Sequence, residues 1–162
     1  MNILALDLGT KTGWANKLAI GPCHAVKAGT WDFTQKKKSS CCIIDQRLVL
    51  LRNELRDFYG SSGIDLLAYE DVKFVRSQAQ AHLWSGFRAI LWLFAYDTGT
   101  PIICCPVQTL KKFATGHGNA DKDAMALAYY EKTGCRPDQA PLDDNAIDAW
   151  HLLHWAEAQF SS

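Results

Sequence analysis

Residues 2–8, Asn-Ile-Leu-Ala-Leu-Asp-Leu, are apolar apart from Asn2 and Asp7. The run alternates too little for a strand with one wet face. It reads instead as a strand buried on both faces, with Asp7 near its C-terminal end. A doubly buried strand needs a covering layer on each side, so the chain is expected to be α/β, with helices on both faces of a sheet.

The segments that follow supply those layers. Gly9 and Gly13 bracket a tight turn, residues 14–19 read as a second strand, and Gly21-Pro22 marks a turn. Residues 24–33 form a third strand rich in β-branched and aromatic side chains, completing an antiparallel meander. After a polar, basic loop at 35–40, apolar residues recur at helical spacing (Ile44, Leu48, Leu51, Leu55, Phe58), giving a helix over about 40–59. Ser61-Ser62-Gly63 ends it. A short strand at 64–69 has Glu70 at its end, and a long helix over 77–97 is stopped by Thr98-Gly99-Thr100-Pro101. A fifth strand at 102–105, helices at 107–114 and 120–133, and a final helix at 144–159 complete the chain. The order predicts a mixed five-stranded sheet, three antiparallel strands and then two parallel ones. At 162 residues the chain is one domain, 1–162, with a substantial core.

Lys and Arg total 17 and so do Asp and Glu, so net charge does not announce a nucleic-acid binder. The bases nevertheless cluster: Lys36-Lys37-Lys38, then Lys73, Arg76 and Arg88, then Lys111-Lys112. A neutral total can hide a basic face behind concentrated carboxylates. No stretch approaches the roughly 18 apolar residues of a membrane span. The N-terminus lacks a basic leader and a cleavage site, so a cytoplasmic protein is expected, in a bacterial host if phage-encoded. The six cysteines (Cys23, Cys41, Cys42, Cys104, Cys105, Cys135) include two vicinal pairs but no Cys-x-x-Cys spacing. They read as reduced thiols rather than a zinc site or a disulfide framework.

Three features far apart in sequence carry chemistry together. Asp7 ends the first strand, Glu70 ends the fourth, and Asp144 and Asp148 begin the last helix one turn apart. If strands one and four are neighbours, their carboxyl ends bring Asp7 and Glu70 side by side, where α/β sites gather. Carboxylates packed so closely raise one another's pKa. Mg²⁺ removes that cost, and two ions about 4 Å apart can activate a water and stabilise a leaving oxygen, which is phosphoryl-transfer chemistry. Singly, each acid has a plain explanation: Glu70 as a solvated strand end, Asp144 as a helix cap. Asp143 caps equally well, which frees Asp144.

Together with their surroundings, these residues resemble a known family. Residues 4–15, Leu-Ala-Leu-Asp-Leu-Gly-Thr-Lys-Thr-Gly-Trp-Ala, are similar to the first strand and turn of RuvC-type Holliday-junction resolvases. Tyr69-Glu70-Asp71-Val72 resembles the family's second acidic motif. Residues 111–125, Lys-Lys-Phe-Ala-Thr-Gly-His-Gly-Asn-Ala-Asp-Lys-Asp-Ala-Met, and 143–149, Asp-Asp-Asn-Ala-Ile-Asp-Ala, complete the set in order. The resemblance implies an RNase H-like fold, a homodimer, and Mg²⁺- or Mn²⁺-dependent nicking of paired strands at four-way junctions. It carries Asp7, Glu70 and Asp148 over as metal ligands. Many members place the fourth acid three residues before the last, where Asn145 stands here; Asp144 is assigned, with Asn145 and Asp143 in reserve. Lys111 and Lys122 match basic positions near the scissile phosphate, and Lys122 is counted with the catalytic set. Phe74 lies one residue from the family's junction wedge. Lys36, Lys37, Lys38, Lys73, Arg76, Lys112 and His117 are further candidate DNA contacts. The motif around Gly118 looks more phage-like than chromosomal.

The long helix adds a partner. Its second half leaves almost no polar face, so one side packs on the sheet and the other is expected at a two-fold interface. Trp84, Phe87 and Leu91 are assigned to that interface. Rival readings are a broader branched-DNA or RNA-processing nuclease of the same fold and a non-catalytic junction binder. An actin-like ATPase or sugar kinase shares the Asp7–Gly13 turn but needs two such domains around its nucleotide.

Overall fold

The structure, a computed structural model, describes residues 1–17, 26–35, 45–71, 77–135 and 142–160. Its elements are β1 (Ile3–Asp7), β2 (Lys11–Lys17), β3 (Val26–Asp32), α1 (Gln46–Ser62), β4 (Leu66–Asp71), α2 (Gln78–Thr98), β5 (Ile102–Pro106), α3 (Val107–Thr115), α4 (Lys122–Thr133) and α5 (Asp144–Phe160). The sheet order is β3-β2-β1-β4-β5. β1 pairs antiparallel with β2 and parallel with β4; β2–β3 is antiparallel and β4–β5 parallel. The expected mixed sheet is therefore present, with three antiparallel strands followed by two parallel ones.

Strand period 2 divides the core into two layers. Leu4, Leu6, Leu67 and Tyr69 point to one face, where Leu51 and Leu55 of α1 and Phe87, Leu91 and Phe94 of α2 pack on them. Ile3, Ala5, Leu66 and Ala68 point to the other, under Ala149, Leu152, Leu153 and Ala156 of α5, with Leu110 of α3 and Met125 of α4 beside them. Helices cover both faces, as the doubly buried first strand requires.

Helix ends follow side-chain capping. Asp45 Oδ1 accepts from the Arg47 amide at 3.0 Å, and Ser77 Oγ from the Gln80 amide at 3.2 Å. Asp121 Oδ1 accepts from the Ala124 amide at 2.9 Å, opening α4. The first part of the helix expected from residue 40 lies outside the described residues, as do the Gly21-Pro22 turn and the last two residues of the expected second strand. β2 starts earlier than expected, at Lys11, because pairing with β1 continues to Asp7 opposite Gly13 and pairing with β3 to Lys11 opposite Asp32. Gly13 is thus a strand residue rather than the end of a turn.

The interface residues assigned from sequence need correction. Trp84 (9% exposed), Phe87 (0%) and Leu91 (0%) lie inside the chain's own core. At 3.6 residues per turn they share a stripe with Phe94 and Ala95 that faces the sheet. The outward face of α2 is instead Trp92 (51%), Leu93 (59%) and Tyr96 (87%). Sequence alone could not separate the two stripes, because this half of the helix is apolar all round.

Candidate active site

One transverse row of the sheet organises the acids. Thr30 on β3 is opposite Gly13 on β2, which is opposite Asp7 on β1, and Glu70 on β4 is opposite Cys105 on β5. The β1–β4 register runs to Leu6 beside Tyr69, so Asp7 and Glu70 follow as the next step of that ladder. They share the face of Ala5 and Ala68, the face that α5 covers. Their carboxyl groups hydrogen-bond each other.

The start of α5 brings the other acids to this row. Asp143 is the cap: its Oδ1 accepts from the Ala146 amide at 2.9 Å and from the Thr30 hydroxyl at 2.5 Å. Burial works against the charge of Asp143, but these donors hold its pKa below the ordinary carboxylate range. Asn145 presents its backbone oxygen to Gly13 and its side chain to Asp143. With Asp143 and Asn145 so engaged, Asp144 and Asp148 are the acids of α5 left for the site. Asp144 Oδ2 accepts from Lys122 Nζ at 2.7 Å, and the charge of Asp148 is felt by Glu70 and by Lys122.

The electrostatics are those of crowded carboxylates. Burial, then the charges of Asp7 and Asp148, push Glu70 up to about 9. Burial and the charge of Asp7 push Asp148 up to about 7. Asp7 is raised as well, chiefly by burial, so the Asp7–Glu70 pair shares a proton near neutrality. Lys122 opposes the charge of Asp7 and Asp148, and Lys111 that of Glu70 and Asp148. Lys111 is itself held by the Ala120 carbonyl, which accepts from its Nζ at 2.6 Å. Cys105 is a buried neighbour of Glu70 whose thiol burial pushes up to about 12, so it stays neutral. Cys104, Cys105 and Cys135 are all free thiols.

Other candidates from the sequence are not brought to the acids. Lys112 lines an open concavity with Gln108, Phe113 and Trp155, and His117 lines another with Asn119 and Glu131. Lys36, Lys37, Lys38, Lys73, Phe74 and Arg76 lie outside the described residues. Sequence reading missed Thr30 and the seating of α5 on Gly13. The available signal was register: six residues after Asp7, across a two-stranded turn, an antiparallel partner falls at Gly13.

Among the described residues, no three His, Cys, Asp or Glu side chains already close around one point as a metal cage. The fit to a cation rests on chemistry instead. Asp7, Glu70, Asp144 and Asp148 are hard oxygen donors converging from two strand ends and one helix, and the raised pKa values of Asp7, Glu70 and Asp148 mark a repulsion that a divalent ion relieves.

A mixed sheet in this order, with α5 carrying acids onto the ends of its two central parallel strands, is an RNase H-like fold. Within that class the chain resembles the RuvC-type resolvases in both sequence and fold. It is 26% identical over 157 residues to the crossover junction endodeoxyribonuclease RuvC of Synechococcus sp. (strain CC9311), covering 92% of this chain and 93% of that one. The Thermus thermophilus RuvC structure superposes with a TM-score of 0.71 at 22% identity, over 98% of this chain and 96% of the other. T. thermophilus RuvC in complex with a Holliday junction substrate gives 0.70 at 20% identity, over 94% and 90%. No protein-family model matches the chain.

Proposed function

We propose that the chain is a metal-dependent, structure-selective endodeoxyribonuclease, a single RNase H-like domain that nicks paired strands of four-way junctions and related branched DNA as a homodimer. The observation that carries this reading is the meeting of Asp7, Glu70, Asp144 and Asp148 at one end of the sheet, where crowding raises the pKa of Asp7, Glu70 and Asp148. The near full-length similarity to a protein named crossover junction endodeoxyribonuclease supports the choice of substrate.

Asp7, Glu70, Asp144 and Asp148 would hold the divalent ions, Mg²⁺ or Mn²⁺, two per site. When bound, such ions supply an activated water and stabilise the departing oxygen of a phosphodiester. The strand acids fix one side of the site because their backbones are locked in the central ladder. The α5 acids close the other side. Lys122, beside Asp144, would place positive charge where a phosphate would lie, and the ammonium of Lys111 puts a second positive charge near Glu70. Lys112 and His117 would meet DNA outside the site. The outward face of α2, Trp92, Leu93 and Tyr96, is the surface for the two-fold partner, rich in the aromatic side chains that anchor interfaces. A junction presents two equivalent strands, and a two-fold dimer presents two sites. Among the described residues no helix is long and apolar enough to cross a membrane, in keeping with work on DNA in the cytoplasm.

Cleavage of labelled four-way junction, fork and linear duplex DNA with Mg²⁺, Mn²⁺ or EDTA tests the proposal. Metal-dependent, symmetric nicking of the junction is the expected result. Equal cutting of forks would widen the substrate to branched DNA in general. No cleavage of any DNA in either metal would refute the assignment and turn attention to RNA.

A further inference from the structure

The first turn of α5, which carries Asp144 and Asp148 to the site, rests directly on the sheet. A Cβ built on Gly13 would lie 1.9 Å from the backbone oxygen of Asn145 and 2.3 Å from its carbonyl carbon, where ordinary contact begins at 3.4 Å. The obstacle is backbone, so no side chain can swing aside. Gly13 is not among the glycines with positive φ, so an alanine there would suffer no conformational penalty of its own. Its lack of a side chain lets the first turn of α5 sit directly on β2.

Thr30 is Gly13's neighbour in the same row, and its hydroxyl donates to Asp143 Oδ1 at 2.5 Å. The same oxygen accepts the Ala146 amide. One carboxylate oxygen therefore ties the cap of α5 both to its own helix and to the sheet. Contact at Gly13 sets the height of the turn, and the bond to Thr30 sets its lateral position. Asp144 and Asp148 are the next residues along that helix. We infer that Gly13 and Thr30 are positioning residues, a ledge that fixes how far the α5 acids stand from Asp7 and Glu70 and so sets affinity for divalent cations. The inference rests on the reading of the four acids as a metal site.

The test is Mn²⁺ binding to the purified protein without DNA, followed by the electron paramagnetic resonance signal of free Mn²⁺. Junction binding in EDTA and the Mn²⁺ concentration needed for half-maximal cleavage are measured alongside. Gly13→Ala and Thr30→Val should each weaken Mn²⁺ binding by about tenfold or more, the usual consequence of disturbing groups that orient ligands. Cleavage should recover at high Mn²⁺, junction binding in EDTA should stay at the wild-type level, and Thr30→Ser should restore Mn²⁺ affinity. Asp148→Asn separates the two claims. If it too leaves Mn²⁺ affinity unchanged, the acids are not a metal site and the nuclease reading falls with the ledge. If Asp148→Asn loses affinity while Gly13→Ala and Thr30→Val keep it, the ledge alone is overturned. Should Gly13→Ala fail to fold by circular dichroism, Thr30→Val and its serine rescue decide the matter.

Discussion

The two faces of the sheet are built from different materials. Toward α1 and α2 the strands present Leu4, Leu6, Leu67 and Tyr69, and the helices answer with Leu51, Leu55, Phe87, Leu91 and Phe94. Toward α5 they present Ala5, Ala15 and Ala68 between Ile3 and Leu66, and the helix answers with Ala149 and Ala156 alternating with Leu152 and Leu153. Large side chains on the first face hold the helices off the sheet. Small ones on the second let a helix come close enough for its first turn to rest on Gly13. The first face is filled with large side chains throughout, and the second keeps small ones where α5 brings its acids to the sheet.

The largest effect that would test this division is on chemistry. Asp7→Asn and Glu70→Gln should reduce cleavage to background while junction binding and the dimer persist. The metal-free variants should also melt at or above the wild-type temperature. The sign follows from linkage: a carboxyl whose folded pKa is raised stabilises the fold at low pH, and that stability is lost as pH rises through the folded value. For wild type the window runs up through about 7 for Asp148 and about 9 for Glu70, so added Mg²⁺ should help most at alkaline pH. A collapse of folding in both variants would make these acids structural.

On the opposite face, Phe87→Ala should cost about 3–5 kcal/mol by chemical denaturation, the range for emptying a fully buried aromatic site. Whatever protein remains folded should keep its Mn²⁺ affinity. A loss of affinity in proportion to stability would erase the distinction between the faces.

A third effect belongs to the α5 face. His151 is fully buried, with Nε2 3.0 Å from the Met125 carbonyl and Nδ1 without a partner among the described residues. Burial lowers its pKa to about 4 from 6.5. A histidine depressed in this way must be neutral to fold, so its contribution is intact above pH 6.5 and is lost as pH falls toward 4. The loss should be on the order of 3 kcal/mol, since each pKa unit is worth about 1.4 kcal/mol. His151→Leu should flatten the acid limb of the stability profile; an unaltered limb would place the proton elsewhere.

Smaller again, Ala149→Leu should cost about 1–3 kcal/mol through overpacking. It should nevertheless impair cleavage more than Phe87→Ala does at matched folded fraction, because it lifts α5. Smallest in stability is Tyr96→Ser on the outward face of α2, within about 0.5 kcal/mol for the monomer. Sedimentation should then show a weakened dimer. An unchanged dimer would move the interface off this helix.

How much of this was legible in the sequence follows the same division. Element order and the acids at strand ends could be read from local pattern, since a buried run ending in Asp7 and a second ending in Glu70 carry their own periodicity. Asp143 as the cap of α5 was equally local, a matter of which residue precedes the first helical turn. The inward stripe of α2 could not be read, because periodicity vanishes where Trp84 to Tyr96 is apolar nearly all round. Nor could Thr30, whose partner Asp143 is 113 residues away. Its role exists only once β3 has paired with β2 and α5 has crossed them. Gly13 looked like a turn residue for the same reason, since its constraint comes from a helix at the other end of the chain.

That separation has a kinetic side. The bond between Thr30 and Asp143 closes one of the longest loops in the molecule, and such closures carry an entropy cost that local helices do not. β1 and β4 can pair and place Asp7 beside Glu70 before residues 142–160 leave the ribosome. The nascent protein then holds two crowded acids without the two on α5. If the four acids are a metal site, as proposed, ion affinity arises only once α5 has been made and seated on the sheet.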